Sequence, residues 1–169
     1  MAIEIRAVEP GDYEGVRQIL SGPKAVWGTR QLPFPSSEAW RKRLAETTYG
    51  DYRLVACIDQ KLVGQLTLHT FPNSPRRRHV GSIGMAVHDD HLRQGIGSAL
   101  MKAALDLADN WLNILKLELE VYTDNEAALR LYEKFGFTIE GTLVRNTFRA
   151  GQYVDAHAMA RFRKEERQS

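Results

Sequence analysis

The chain has 169 residues, 43% hydrophobic and 26% charged, with 23 Lys and Arg against 21 Asp and Glu for a net charge of +2. That balance belongs to an ordinary soluble domain; it excludes a disordered chain, and the basic excess is too small for a protein that wraps DNA or RNA. A single Cys57 rules out an internal disulfide framework, and there is neither an apolar signal core at the N-terminus nor a run of about 20 apolar residues, so a cytoplasmic protein without a membrane segment is expected.

Residues 3–8 alternate apolar and polar and predict a half-buried strand. Pro10-Gly11-Asp12 opens a helix to about Leu20, with Tyr13, Val16, Ile19 and Leu20 on one face. Residues 21–35 carry Gly22, Pro23, Gly28, Pro33 and Pro35, too many breakers for regular structure. Ser36-Ser37 followed by Glu38 marks the cap of a helix ending near Ala45. Residues 52–58 and 61–70 read as a hairpin about the turn Asp59-Gln60. After a loop at residues 72–76, residues 79–87 form a strand apolar enough to be central in a sheet. The strongest helix runs from Gly95 to about Trp111, with Ile96, Leu100, Ala103, Ala104 and Leu107 on its apolar face. Residues 115–122 alternate strictly, Leu117, Leu119 and Val121 against Glu118 and Glu120. Residues 125–135 form a helix ended by Gly136, and residues 137–148 and 153–162 close the chain as a hairpin about Ala150-Gly151. The order is β-α-α-β-β-β-α-β-α-β-β, one mixed α/β domain over residues 1–163 followed by a charged tail at residues 164–169.

Two strand-to-helix junctions carry chemistry. At the first, Gly95 and Gly97 open a long helix after a short turn. The first N–H groups of a helix lack intrahelical acceptors and carry positive partial charge, so this is an anion site suited to phosphate or pyrophosphate. No Gly-Lys-Ser/Thr ending makes it a nucleotide P-loop, and no third glycine gives it dinucleotide spacing. At the second junction Asn125 and Tyr132 stand two helical turns apart, on one face. Separately, Asn125 reads as a helix N-cap and Tyr132 as a core residue with its hydroxyl at the edge. His88-Asp89-Asp90-His91 offers metal-binding side chain types at no spacing that a metal site uses, and no metal is expected.

Together the two junctions and the element order resemble the GNAT superfamily of acetyl-CoA-dependent N-acetyltransferases, over essentially the whole chain. The run Arg-Gln-Gly-Ile-Gly-Ser-Ala-Leu at residues 93–100 and the run Asn-Glu-Ala-Ala-Leu-Arg-Leu-Tyr-Glu-Lys-Phe-Gly-Phe at residues 125–137 carry the resemblance. Residues 54–59, 109–112 and 151–156 are similar to the bacterial L-amino-acid N-acetyltransferases of the YhhY type. The superfamily motif usually has Gln or Arg three residues before the first glycine, and Leu92 stands there instead.

The resemblance implies a GNAT-like mixed central sheet with acetyl-CoA as co-substrate, held in a cleft where strands 79–87 and 115–122 splay apart. It implies a pyrophosphate on Leu92, Arg93, Gln94, Gly95, Ile96, Gly97 and Ser98, and a pantetheine arm paired with the backbone of Met85, Ala86 and Val87. Asn125 would hydrogen-bond that arm, and Tyr132 would protonate the leaving thiolate as general acid. The irregular segment after the first helix walls the acceptor pocket in the superfamily. It would set Arg30 against an acceptor carboxylate and Leu32 and Phe34 against a side chain, although ordinary loop packing explains them equally well. His79, on the strand flanking the cleft, and His69, on its neighbour, are the histidines expected near the acceptor; a satisfied strand histidine is the more frequent reading of each. Arg76-Arg77-Arg78 reads as a solvated loop, with attraction of the CoA 3′-phosphate as the second reading.

The activity implied is acetyl transfer to the primary amine of a small molecule, with the α-amino group of an L-amino acid as the expected acceptor. A protein or peptide N-acetyltransferase and a non-catalytic acyl-CoA sensor are the alternatives; loss of turnover with CoA binding retained in Tyr132→Phe separates enzyme from sensor. Members of the superfamily often dimerise, so the resemblance also allows a homodimer to which the final hairpin near residues 153–155 could contribute; no sequence signal fixes it.

Overall fold

The computed structural model describes residues 1–164. Of the expected charged tail, residues 165–169 lie outside the described residues. The strands are β1 (Glu4–Ala7), β2 (Asp51–Ile58), β3 (Lys61–Thr70), β4 (Val80–Val87), β5 (Lys116–Tyr122), β6 (Thr138–Arg149) and β7 (Gln152–Phe162). The α-helices are α1 (Tyr13–Ser21), α2 (Pro23–Gly28), α3 (Ser37–Ala45), α4 (Ile96–Asp106) and α5 (Glu126–Lys134). The seven strands form one mixed sheet in the order β1-β2-β3-β4-β5-β7-β6. The chain forms two compact bodies, Met1–His69 with Ile83–Ala104, and Thr70–Ser82 with the described residues from Leu105 onward.

In the first body β1 runs antiparallel to β2, and β2 to β3. The hairpin between β2 and β3 turns on Asp59 and Gln60, at φ 48° and 65°. Two successive left-handed residues are what a two-residue turn needs to match strand twist. Val16, Ile19 and Leu20 of α1 pack with Trp40 and Leu44 of α3 and with Val55, Cys57 and Ala86 of the sheet, while Tyr13 is only partly buried. Each such aliphatic side chain contributes roughly 1.5–3 kcal/mol on burial. The Ser36 hydroxyl accepts from the Ala39 N–H at 3.2 Å and starts α3, as expected.

The breaker-rich stretch 21–35 contains a helix that its composition argues against. Pro23 at the first helical position starts α2, where a missing N–H costs nothing. The cap comes from far away in sequence: Asp89 accepts from the backbone N–H of Lys24 at 2.9 Å and of Ala25 at 3.2 Å. A Cβ on Gly22 would lie 2.7 Å from the Asp89 carboxyl carbon, so glycine makes room for that carboxylate. The element order is therefore the expected one with a third helix before β2.

In the second body Val80, Gly81 and Ser82 pair in parallel with Lys116, Leu117 and Glu118, and the β4–β5 ladder covers those three pairs. β7 runs antiparallel to β5 from Lys116↔Phe162 to Tyr122↔Ala156, and β6 runs antiparallel to β7. Leu117, Leu119 and Val121 are buried, as their alternation requires. The long helix keeps α geometry only to Asp106; Leu107–Trp111 is a π-helical turn, closed by the Leu112 N–H on the Leu107 carbonyl at 3.0 Å. Asp109, in that turn, takes both Arg161 guanidinium nitrogens at 2.9 and 2.8 Å. Among the described residues no helix is long and apolar enough to cross a membrane.

Candidate active site

Between β4 and α4 the backbone makes a short 3-10 turn, Asp89–His91, and then an exposed turn through residues 92–95. Arg93 and Gly95 are left-handed, at φ 60° and 82°. A Cβ at Gly95 would meet nothing within 4 Å, so the need for glycine there is conformational rather than steric. The first bond of α4 runs from the Ala99 N–H to the Gly95 carbonyl at 2.9 Å. The N–H groups of Ile96, Gly97 and Ser98 therefore precede the helical ladder, as an anion site requires. Leu92 is exposed and extended, and no acidic side chain interrupts residues 92–98.

The same body contains a cavity of about 230 Å³. Its wall includes Gly84 and Met85 of β4, Gln65, Thr67 and His69 of β3, Arg53 of β2, Arg43 of α3, and Thr29 and Gln31. The segment after α2 does reach a pocket, but through other residues than expected. Arg30, Leu32 and Phe34 are off the wall; Leu32 is 79% and Phe34 99% exposed. In extended chain alternate side chains point opposite ways, so the polar Thr29 and Gln31 face the cavity and Arg30 and Leu32 face out. His69 is directly opposite Asp51 across the β2–β3 ladder, and its Nδ1 lies 2.8 Å from Asp51 Oδ1.

His79 is placed differently from the sequence expectation. It lies exposed in the turn before β4, where its carbonyl accepts from Leu115 and Lys116, and Met85 is six residues further along. That is about 20 Å of extended strand, so His79 stands at the opposite end of β4 from Met85, Ala86 and Val87. Arg77, in the basic run, pairs with Glu118 at 3.2 Å and its guanidinium lies over the Phe71 ring.

In the second body Asn125 caps α5, its Oδ1 accepting from the Ala128 N–H at 3.3 Å. Tyr132, two turns later, is buried with its ring against Phe137 at 5.9 Å between centroids. Burial alone pushes its phenol up to about 12, so it holds its proton at any physiological pH. The acidic and histidine run after β4 is used structurally: Asp89 caps α2, and His88 Nδ1 accepts from the Asp90 N–H at 3.2 Å. Among the described residues no group of three or more His, Cys, Asp or Glu is arranged to hold a metal ion.

The arrangement has counterparts among known proteins. The model of the Acetyltransferase (GNAT) family matches residues 15–137. The L-amino acid N-acetyltransferase AaaT of Escherichia coli K12 is 44% identical over 159 residues, 94% of this chain and 97% of the relative. The spermidine N(1)-acetyltransferase of the same organism is 26% identical, over 95% of this chain and 86% of its own. The spermidine N-acetyltransferase of Vibrio cholerae, solved in complex with CoA and spermine, superposes with a TM-score of 0.81 at 26% identity, covering 95% of each chain. A seven-stranded sheet with this order of elements, a family match across most of the chain and a near full-length relative at 44% identity agree: the chain belongs to the GNAT family and is an acetyl-CoA-dependent N-acetyltransferase.

Proposed function

We propose that the acceptor is the α-amino group of a free L-amino acid, and that the roles inferred from the two strand-to-helix junctions apply to this chain. The observation that carries the reading is the 44% identity to an L-amino acid N-acetyltransferase over nearly the full length of both chains. In this reading the pyrophosphate rests on residues 92–98, whose N–H groups and Arg93 supply positive charge without a side-chain donor at Leu92. Met85, Ala86 and Val87 lie beyond the last β4–β5 pair, and their backbone groups would pair with the pantetheine arm as an added strand would. Asn125 uses its Oδ1 on the helix, which leaves the Nδ2 hydrogens as donors to the same arm.

The chemistry is a proton-balanced exchange. The ammonium of the acceptor loses one proton, its nitrogen attacks the thioester carbonyl, the C–S bond breaks, the nitrogen sheds a second proton to become the amide, and the thiolate takes one up, so that one proton goes to solvent overall. A phenol at about 12 is a weaker acid than a thiol near 8.5, so complete transfer to sulfur is uphill by about 5 kcal/mol. We therefore refine the role of Tyr132: it donates a hydrogen bond to sulfur as negative charge builds there, and solvent completes the protonation. For the first step the group on the cavity wall is His69. Asp51 holds its Nδ1 side, which leaves Nε2 to take the ammonium proton.

Thiol release from acetyl-CoA across free amino acids, polyamines, aminoglycosides and short peptides tests the reading. Turnover confined to free amino acids is expected; turnover only with peptides, or none with tight CoA binding, replaces it with one of the alternatives. His69→Gln is expected to lower kcat/KM roughly tenfold to a hundredfold, and less for acceptors whose ammonium is already a stronger acid. An equal loss on acceptors of every basicity removes His69 from proton transfer.

A further inference from the structure

We infer that Arg43 and Arg53 form the subsite that reads the carboxylate of the acceptor and turns polyamines away. The inference rests on the amino-acid reading above and adds where the acid group is held.

Both guanidinium-bearing residues line the cavity that also touches Met85. Several arginines of this chain are each matched to a carboxylate: Arg6 to Asp12, Arg17 to Glu14, Arg41 to Glu38, Arg77 to Glu118, Arg130 to Glu126, Arg149 to Asp124 and Arg161 to Asp109. Among the described residues Arg43 and Arg53 have no such partner in any ion pair. No Asp or Glu belongs to the cavity wall, and the carboxylate of Asp51 is occupied by His69. A concave site with two cations and no anion of its own attracts an anionic ligand group.

The two side chains are also held in place. Arg53 Nη1 donates to the Arg43 carbonyl oxygen at 3.2 Å, and the Arg43 guanidinium stacks over the Trp40 ring at 4.7 Å. Trp40 is a buried residue of the core, so the stack is anchored. Each guanidinium carries five N–H donors in a planar fork, and one of those of Arg53 is spent. The rest match the paired oxygens of a carboxylate, whereas a polyamine brings only positive charge. The cavity thus separates the acceptor types of the two E. coli relatives by the sign of one group.

The test uses the full chain and three acceptors that share one side chain: the best amino acid of the panel, its carboxamide and its decarboxylated amine. Wild type is expected to prefer the acid over the decarboxylated amine by about a hundredfold or more in kcat/KM. Arg53→Gln, and separately Arg43→Gln, should shrink that preference by about tenfold or more, chiefly through KM for the acid. An unchanged preference in both variants overturns the inference, and so does a rise in KM for acetyl-CoA alone, which would assign these guanidinium groups to the cofactor phosphates. Wild type that acetylates no amino acid fails the parent reading before any variant is made. Wild type that acetylates acid and amine equally fails only the subsite. Arg43 lies on exposed helix surface, so its variant keeps the inference testable should Arg53→Gln fold poorly.

Discussion

Replacing Tyr132 by phenylalanine is expected to lower kcat about a thousandfold while acetyl-CoA affinity changes by less than about threefold. The ring is buried against Phe137 and phenylalanine keeps that contact, so only one oxygen is lost. Because the phenol sits near 12, it supplies no basic limb to the rate profile below about pH 10. The wild-type profile should instead rise with deprotonation of the acceptor. The same burial has a stability consequence. A folded-state value raised from 10.0 to about 12 leaves stability whole below pH 10 and erodes it as pH climbs through 12. The loss totals about 3 kcal/mol, and the phenylalanine variant lacks it. Urea midpoints of both proteins at pH 9 and pH 11 should diverge in favour of the variant at the higher pH. Turnover within tenfold of wild type would take Tyr132 out of the chemistry; parallel loss of CoA affinity would make it a binding residue.

Gly95→Val is expected to raise KM for acetyl-CoA about a hundredfold or more, with Gly95→Asn clearly milder. An added side chain at this position meets no neighbour, yet φ is +82°. An ordinary residue pays about 1–2 kcal/mol in left-handed backbone, a β-branched one more, and asparagine tolerates it best. Relief of that strain re-aims the N–H groups of the turn, and each charge-assisted hydrogen bond lost is worth about 1.5–3 kcal/mol. Calorimetric titration with CoA separates the effect from folding. Equal affinities for both variants would show that the turn does not hold the phosphates.

What the sequence disclosed followed the range of the interaction. The β2–β3 turn, the Ser36 cap and the Gly136 terminator depend on residues a few positions apart, and each lies where its local pattern put it. α2 was illegible because its capping carboxylate, Asp89, is 65 residues from Lys24. The π turn at Leu107–Trp111 was likewise hidden, since it breaks the 3.6-residue period inside a continuous apolar pattern. The expected apolar face of α4 was nearly right: Ile96, Leu100 and Ala104 are buried, Met101 joins them, and Ala103 and Leu107 are only half-buried. For the proposed site, the Gly95 turn lies where two glycines opening a helix put it, whereas the role proposed for Tyr132 comes from the family resemblance of residues 125–137 and not from its spacing. The cavity wall was not legible, because Arg43, Arg53 and His69 come from three separate elements that only the fold assembles.

Asp89 joins two working parts of one body. Its own backbone leads into the turn of residues 92–95, while its carboxylate grips the start of α2, whose far end delivers Thr29 and Gln31 to the cavity. In the proposed reading, a cofactor that ordered the turn would also act on the helix that carries Thr29 and Gln31 to the cavity wall. Free energy linkage would make such an effect mutual: by whatever factor the bound cofactor raised the affinity for the amine, the amine would raise the affinity for the cofactor. The carboxylate that starts a six-residue helix is, in that reading, the contact through which such a coupling would pass.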